Sequence, residues 1–256
     1  MSLLNVKLIK CLSDNYSYII FNPITKKAII VDPAEAQPLM DAIFKLNLDL
    51  EYILITHHHN DHVGGNIELK NKFNCKIVGF ADDSNRIPGI DIRLQDKEIF
   101  NFEKENIQLN FAPGHTSGHI FYYFKKNKYA FVGDVVFTLG CGRIFEGTTN
   151  EMYKSIMKIK SLPDDVEIFC GHEYTANNLK FCLEYDKSND RLMKRAKQIE
   201  ALLNKNLPTV PTTVLNEKQT NIFFRCNDKT ISHKLDLVGQ SPEKVFEKLR
   251  QLKDNF

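Results

Sequence analysis

Short apolar runs that end in turn residues alternate with longer amphipathic stretches over the first two thirds of the chain. The short runs are rich in β-branched and aromatic residues, which favours strands. The predicted strands are Tyr16–Phe21, Ala28–Val31, Tyr52–Ile55, Gln108–Phe111, Ile120–Phe124, Tyr129–Val132 and Val166–Cys170. The predicted helices between them are Pro38–Leu46, Asn66–Phe73 and Asn150–Ile159. Strands mixed with helices predict a layered α/β sandwich.

The pattern changes after His172, where amphipathic helices follow one another with only weak strand signals between them. The predicted helices are Thr175–Glu184, Ser188–Asn204 and Ser241–Leu252. The last begins with Ser241-Pro242-Glu243, which supplies an N-cap, a proline at the first helical position and an acid in the first turn. We therefore predict a sandwich domain over residues 1–172 and a smaller helical domain over residues 173–256.

Composition and charge indicate the localisation of the protein, the state of its cysteines and the partners it is expected to have, but they do not indicate its function. No segment approaches the roughly 20 apolar residues that a membrane span needs, and the N-terminus lacks a signal-peptide pattern, which favours a cytoplasmic protein. The six cysteines form no C-x-x-C pair, so we expect reduced thiols. The net charge is only +2, although residues 173–256 carry 15 Lys and Arg against 11 Asp and Glu. We expect neither a nucleic-acid nor a membrane partner, and we expect a monomer.

A dense histidine cluster follows the predicted strand Tyr52–Ile55. Of the eight histidines in 256 residues, four fall within the six positions from His57 to His62. Residues two apart in an extended segment project to the same side, so His57 and His59 should point together, with His58 pointing away. Asp61 and His62 then follow from the turn. Ligands in two groups fit two metal ions better than one.

Three later predicted strands also end at a glycine beside a side chain that can bind metal. These pairs are Gly114-His115, Gly133-Asp134 and Gly171-His172. A single histidine after a strand is more often an ordinary turn residue. Three such pairs downstream of a histidine cluster are hard to explain by structure alone.

The motifs THHHxDH, GHTxGH, GD and GH, in this order, resemble those of the metallo-β-lactamase superfamily. The resemblance implies an αββα sandwich with metals at one edge. It also implies that His57, His59 and His115 bind one metal ion, that Asp61, His62 and His172 bind a second, and that Asp134 bridges both. His58 and His119 match motif positions that are not ligands.

Two divalent ions can share a hydroxide and polarise a carbonyl, which provides a nucleophile at neutral pH. Asp61 and Asp134 are then the catalytic carboxylates of the site. A ligand set of imidazoles and carboxylates accepts zinc, iron or manganese, and we expect two divalent ions per chain, zinc first among these metals. Thioester hydrolysis suits such a site because a thiolate leaves without a general acid.

Three further stretches are similar to the glyoxalase II family. They are LGCGRIFEGT at Leu139–Thr148, GHEYT at Gly171–Thr175 and LRQLKDNF at Leu249–Phe256. The resemblance covers essentially the whole chain and implies hydrolysis of S-D-lactoylglutathione and related 2-hydroxyacylglutathiones, the second step of methylglyoxal detoxification. It also implies which residues hold glutathione, namely Arg143, Phe145, Tyr174, Arg250 and Lys253.

Two of these positions also allow an argument from physical chemistry. Arg250 and Lys253 lie three apart on a predicted helix, so they share a face and can grip a carboxylate together. Ordinary solvated residues on a basic helix would show the same spacing, and without the resemblance we would favour that interpretation. Phe145 departs from the tyrosine that the family has at this position. It keeps the aromatic ring but lacks the hydroxyl that could hydrogen-bond the substrate peptide.

Three alternatives remain to be weighed. A persulfide dioxygenase of the same superfamily also acts on a glutathione derivative, but Arg250 and Lys253 on a helical C-terminal domain argue against it. A metal-dependent ribonuclease would need a more basic, aromatic-rich surface. A non-catalytic relative would have lost metal ligands, whereas all seven candidates are present.

Overall fold

The computed structural model describes residues 4–256. Strands alternate with helices over the first two thirds of the chain, as the hydrophobic pattern predicts. The strands are β1 (Asn5–Cys11), β2 (Asn15–Phe21), β3 (Lys27–Val31), β4 (Asp49–Leu54), β5 (Lys76–Phe80), β6 (Ile90–Leu94), β7 (Ile99–Phe102), β8 (Glu105–Phe111), β9 (Ile120–Phe124), β10 (Tyr129–Gly133), β11 (Val136–Phe137), β12 (Gly140–Cys141), β13 (Glu167–Cys170) and β14 (Thr212–Thr213). The helices are α1 (Gln37–Leu46), α2 (Asn60–Val63), α3 (Asn66–Phe73), α4 (Thr149–Lys160), α5 (Thr175–Asp186), α6 (Asp190–Leu203), α7 (Val214–Thr220), α8 (Lys229–Lys234) and α9 (Pro242–Asp254).

The chain divides into two compact units. The first comprises the residues up to Phe111 together with Gly118–Gly133, and it contains β1 to β10 and α1 to α3. The second comprises Ala112–Ser117 and Asp134–Phe256, and it contains β11 to β14 and α4 to α9. No helix in the described part of the chain is both long enough and apolar enough to span a membrane.

Two sheets form the body of the first unit. Strands β1 to β6 lie in chain order, antiparallel up to β3 and parallel from β3 to β6. Strands β7 to β10 form an antiparallel meander. The sheets pack face to face, since the Tyr122 hydroxyl donates to the Ile55 carbonyl at 3.1 Å and the Tyr18 and Phe131 rings meet edge to face. Apolar residues of α1 and α3 cover the other face of the first sheet. The layered α/β prediction is confirmed.

Parallel pairing of β3 with β4 determines where the first candidate ligands emerge. Val31 pairs with Leu54, so both strands end at the same edge of the sheet. Asp32 follows the first of these ends, and Thr56 with His57 follows the second. The parallel arrangement therefore brings residues 25 positions apart in sequence to one place.

Helices dominate the second unit after His172, as the sequence predicts. In this region α5 packs on α6. The strand described after His172 is the two-residue β14, which pairs with β13. The predicted start of α9 is confirmed, because the Ser241 hydroxyl accepts a hydrogen bond from the Lys244 backbone N–H and Pro242 opens the helix.

Candidate metal and substrate site

The histidine loop between β4 and α2 gathers metal-capable atoms at the sheet edge. His57 Nε2 and His59 Nδ1 lie 3.1 Å apart, so these two side chains do point together. The His57 and His62 rings are 4.1 Å apart, centroid to centroid. Asp61 Oδ2 lies 3.7 Å from His62 Nε2. The first unit therefore brings His57, His59, Asp61 and His62 into one cluster.

Asp32 organises this cluster, and the sequence interpretation did not identify it. Its carboxylate accepts hydrogen bonds from the Thr56 backbone N–H at 2.8 Å and from the Thr56 hydroxyl at 2.6 Å. It also lies 3.1 Å from His62 Nδ1. One buried carboxylate thus fixes the start of the histidine loop and the orientation of the His62 ring. A carboxylate behind a ligand histidine is a common feature of metal sites.

The second unit holds His115, Asp134 and His172. His115 Nε2 and His172 Nε2 lie 3.4 Å and 3.3 Å from the same oxygen, Asp134 Oδ2. All three side chains are buried. The three strand-end pairs that the sequence singled out thus converge on one carboxylate.

The orientation of the rings fits a bound cation. His115 Nδ1 faces the Arg143 carbonyl at 2.8 Å, so the proton sits on Nδ1 and Nε2 presents a lone pair. His62 Nδ1 faces the Asp32 carboxylate, which leaves its Nε2 lone pair in the same way. Lone pairs that converge with carboxylate oxygens repel one another unless a cation lies among them. The donor chemistry therefore suits a divalent metal ion.

His58 and His119, which the sequence placed outside the ligand set, make other contacts. His58 Nδ1 lies 3.2 Å from the buried carboxylate of Asp83. The His119 ring stacks on the His57 ring at 4.5 Å with an interplanar angle of 21°. His119 thus supports a candidate ligand by packing.

Three candidate substrate residues surround the second group of ligands. The Arg143 side chain is 65% exposed, and its backbone carbonyl holds His115. The exposed Phe145 ring lies 5.2 Å from the His115 ring. The Tyr174 ring stacks on His172 at 4.7 Å, with the two planes almost parallel. Arg143, Phe145 and Tyr174 are therefore both accessible and close to metal-capable residues.

Arg250 and Lys253 lie on α9 as predicted, but their surroundings differ. Arg250 is only 4% exposed, and its guanidinium donates to the Cys141 carbonyl at 2.9 Å and to Asp254. Lys253 Nζ donates to the Asn177 carbonyl at 3.2 Å and lies over the Phe181 ring. Arg250 thus supports the segment before Arg143, while Lys253 retains donors for a ligand.

Desolvation, together with the nearby positive charge of Arg250, lowers the pKa of Lys253 to about 8. The Phe181 ring below the ammonium group contributes to this partial burial. Lys253 is thus a cation whose charge changes close to neutral pH.

The cysteines do not offer a competing nucleophile. All six are buried free thiols. Burial raises the pKa of Cys141 to about 11 and that of Cys182 to about 12. Because the thiolate is the reactive form, these thiols are inert at neutral pH.

Two family models together match nearly the whole chain. Residues 13–172 match the metallo-beta-lactamase superfamily, and residues 173–256 match the hydroxyacylglutathione hydrolase C-terminus. A hydroxyacylglutathione hydrolase of Pelagibacter ubique (strain HTCC1062) is 46% identical over 253 residues, covering 99% of this chain and 100% of the relative. A protein of the same name from Rhodopseudomonas palustris (strain BisB5) is 40% identical and covers 98% of each chain.

Solved structures with the same fold include more distant proteins. The BLEG-1 B3 metallo-beta-lactamase is 22% identical with a TM-score of 0.66, covering 86% of this chain and 99% of its own. A metallo-beta-lactamase from Staphylococcus aureus subsp. aureus COL is also 22% identical with a TM-score of 0.67, covering 98% of this chain and 73% of its own. At this identity the likeness shows the fold alone, and it confirms the predicted sandwich class.

Proposed function

Because this chain belongs to the hydroxyacylglutathione hydrolase family of the metallo-β-lactamase superfamily, we propose a specific role for each residue of its site. The protein is a metal-dependent thioester hydrolase of the glyoxalase II type. It converts S-D-lactoylglutathione and water to glutathione and D-lactate, which is the second step of methylglyoxal detoxification.

We propose seven side chains as the ligands of a dinuclear site for divalent metal ions. His57, His59 and His115 would hold one ion, Asp61, His62 and His172 would hold the other, and Asp134 would contribute to both. Divalent ions supply Lewis-acid polarisation of a carbonyl and lower the pKa of water. We propose zinc as the metal, with iron or manganese as the alternatives, since imidazole and carboxylate ligands suit all three.

Asp61 and Asp134 are the proposed catalytic carboxylates. Asn15 Nδ2 donates to both the backbone carbonyl and Oδ2 of Asp61, each at 3.0 Å, so one lone-pair direction of that carboxylate is fixed by the protein. Asp134 faces two histidine nitrogens through a single oxygen. The two negative charges would offset half of the positive charge that two divalent ions bring. The glutathione thiolate leaves without a general acid.

Glutathione is the proposed ligand of Arg143, Phe145, Tyr174 and Lys253. Arg250 is proposed to contribute to the same binding site from a buried position, through its hydrogen bond to the Cys141 carbonyl. The observation that carries this assignment is the 2.8 Å hydrogen bond from His115 Nδ1 to the Arg143 carbonyl. This hydrogen bond joins Arg143, which is proposed to bind the substrate, to His115, which is proposed to bind metal. A peptide held by Arg143 would thus have its thioester end beside His115.

Substituting Arg143 should separate binding of the glutathione peptide from the chemistry. A charge-assisted hydrogen bond contributes about 1.5–3 kcal/mol, so Arg143→Ala should raise KM for lactoylglutathione about tenfold to a hundredfold. The lactoyl thioester of N-acetylcysteamine, which lacks the peptide, should be hydrolysed at an unchanged rate. Steady-state kinetics with both substrates measure this. Arg191→Ala, on the exposed start of α6, is the matched control. Equal losses on both thioesters would refute the assignment.

The lowered pKa of Lys253 predicts a pH dependence of substrate binding. The ammonium is charged below about pH 8 and attracts the ionised carboxylates of glutathione. It becomes neutral as the pH rises through that value, so kcat/KM should fall above about pH 8. Lys253→Arg keeps its charge throughout and should lose this fall. The measurement is the ratio of kcat/KM for the two proteins between about pH 6.5 and 9.5. A ratio that does not change with pH would contradict a binding role for Lys253.

We also propose that residues 1–172 carry the metal site and that residues 173–256 form the substrate-binding domain. The protein is proposed to act as a monomer in the cytoplasm, the compartment that glutathione keeps reduced. Its proposed partner is the small-molecule thioester, with no nucleic acid or membrane involved.

A further inference from the structure

Six consecutive backbone carbonyls, from Phe137 to Gly142, each accept a hydrogen bond from a side chain of the C-terminal helical region. The bonds are Asn221 Nδ2 to Phe137 O (3.4 Å) and to Gly140 O (2.9 Å), Asn178 Nδ2 to Thr138 O (3.1 Å), Cys182 Sγ to Leu139 O (3.2 Å), and Arg250 Nη1 to Cys141 O (2.9 Å) and to Gly142 O (3.4 Å). Most backbone groups pair with other backbone groups. Here side chains distant in sequence fix an entire segment.

Glu217 lies at the centre of this arrangement and is fully buried. Its Oε2 accepts from the Leu139 backbone N–H at 2.9 Å and from Asn221 Nδ2 at 2.8 Å. Its Oε1 accepts from the Thr212 hydroxyl at 2.7 Å and from Arg195 at 2.6 Å. All four acceptor positions of the carboxylate are therefore used.

The segment needs such a support because its backbone is constrained. Leu139 has a backbone φ of 60°. This left-handed region is seldom adopted by residues other than glycine, asparagine and aspartate. A Cβ added at Gly142 would lie 1.9 Å from the Asp134 carbonyl, so the chain also passes very close to the proposed metal ligand. The Glu217 contact to the Leu139 N–H stabilises the strained residue.

A buried ion pair is an unusual way to gain stability, because desolvation of the two charges offsets their attraction. Arg195 and Glu217 are both buried, and each makes additional hydrogen bonds to threonines. The ion pair holds the Glu217 carboxylate in a fixed place, where it accepts the hydrogen bond from the Leu139 backbone N–H. Arg143 follows the segment directly in the chain.

We propose that Glu217 is a positioning residue for substrate binding, which holds the 137–142 segment in the conformation that presents Arg143 to glutathione. This rests on the proposed role of Arg143. The C-terminal helices then act on the substrate in two ways, through their own side chains and by shaping the loop that carries Arg143. Displacing a binding group by about 1 Å is enough to weaken an enzyme markedly.

Glu217→Gln tests the proposal, because an amide NH2 must then face two hydrogen-bond donors. KM for lactoylglutathione should rise about tenfold, while kcat stays within about twofold. The lactoyl thioester of N-acetylcysteamine should be hydrolysed with kcat/KM unchanged within about threefold. Metal content should equal that of the unmodified protein.

Asp186→Asn is the matched control, since Asp186 is a buried carboxylate paired with Arg225 and bonded to Asn189, away from the 137–142 segment. It should lower the melting temperature without changing the ratio of kcat/KM between the two thioesters. If Glu217→Gln does not fold, Asn178→Ala removes only the bond to Thr138 and should shift the same ratio more weakly.

The positioning role is overturned if folded Glu217→Gln leaves the ratio of kcat/KM between the two thioesters unchanged. If Glu217→Gln does not fold, an unchanged ratio in Asn178→Ala overturns it instead. Failure of the proposed function is distinguishable, because Arg143→Ala would then also leave the ratio unchanged. A ratio that responds to Arg143 but not to Glu217 refutes the positioning proposal alone.

Discussion

Replacing Asp134 by asparagine is expected to remove most of the bound metal and to lower kcat/KM by about 100-fold or more. Asp134 is buried, and its Oδ2 lies 3.4 Å from His115 Nε2 and 3.3 Å from His172 Nε2. The substitution removes the negative charge and can place an amide NH2, which does not bind metal, between two imidazole nitrogens. Changes to residues behind metal ligands already cost about 10- to 100-fold, so loss of a ligand should cost more.

Metal analysis and kinetics of the same preparation measure this effect. Asp164→Asn is a suitable control, because Asp164 is an exposed carboxylate of the second unit that pairs with Lys218. It should retain both metal and activity. If Asp134→Asn keeps a normal metal content and normal turnover, Asp134 is not a metal ligand.

The second large effect is expected at Asp32. Asp32→Ala deprives the Thr56 N–H, the Thr56 hydroxyl and His62 Nδ1 of their acceptor. It also places alanine at a φ of 49°. We expect unfolding free energy to fall by about 3 kcal/mol from unsatisfied groups and backbone strain. Metal affinity should fall about 10- to 100-fold, because the His62 ring loses its support.

Asp32→Asn separates these two causes. Asparagine tolerates the left-handed conformation and keeps the shape of the side chain, so stability should largely recover. The charge behind His62 is still lost, so metal affinity should remain low. Thermal unfolding and competition with a metal chelator give the two quantities. If Asp32→Asn binds metal as tightly as the unmodified protein, Asp32 acts only on the fold.

The metal loop was predictable from the sequence because two strong signals coincide in it. An apolar run rich in isoleucine and leucine indicates a strand, and the clustering of histidines directly after it indicates a site. Asp32 gave no comparable signal, since an aspartate before Pro33 also suits an ordinary turn. Its role depends on the parallel pairing of β3 with β4, which is a tertiary contact.

The strands that the sequence did not predict include both edges of the first sheet. β1 and β6 are the edge strands, and their exposed faces carry lysine, aspartate or arginine. Charged residues protect edges against pairing with other chains, and they make such strands resemble loops in sequence. The missed β5 is interrupted by Gly79, which weakens its strand signal.

The helical spacing of Arg250 and Lys253 correctly placed them on one helix, but it could not reveal their different burial. Packing of Cys141 against α9 buries Arg250 and leaves Lys253 partly open. The support of the 137–142 segment was equally hidden, because Glu217 and Leu139 are 78 positions apart. Side chains that act by holding distant backbone groups leave no local pattern.

The most direct test of the whole account is hydrolysis of S-D-lactoylglutathione by purified protein of known metal content, followed by loss of thioester absorbance. We expect close to two divalent ions per chain and a kcat/KM of at least about 10⁴ M⁻¹ s⁻¹. Activity should disappear when a chelator removes the metal and return when zinc, iron or manganese is restored. Fully metallated, folded protein that leaves lactoylglutathione intact would contradict the account.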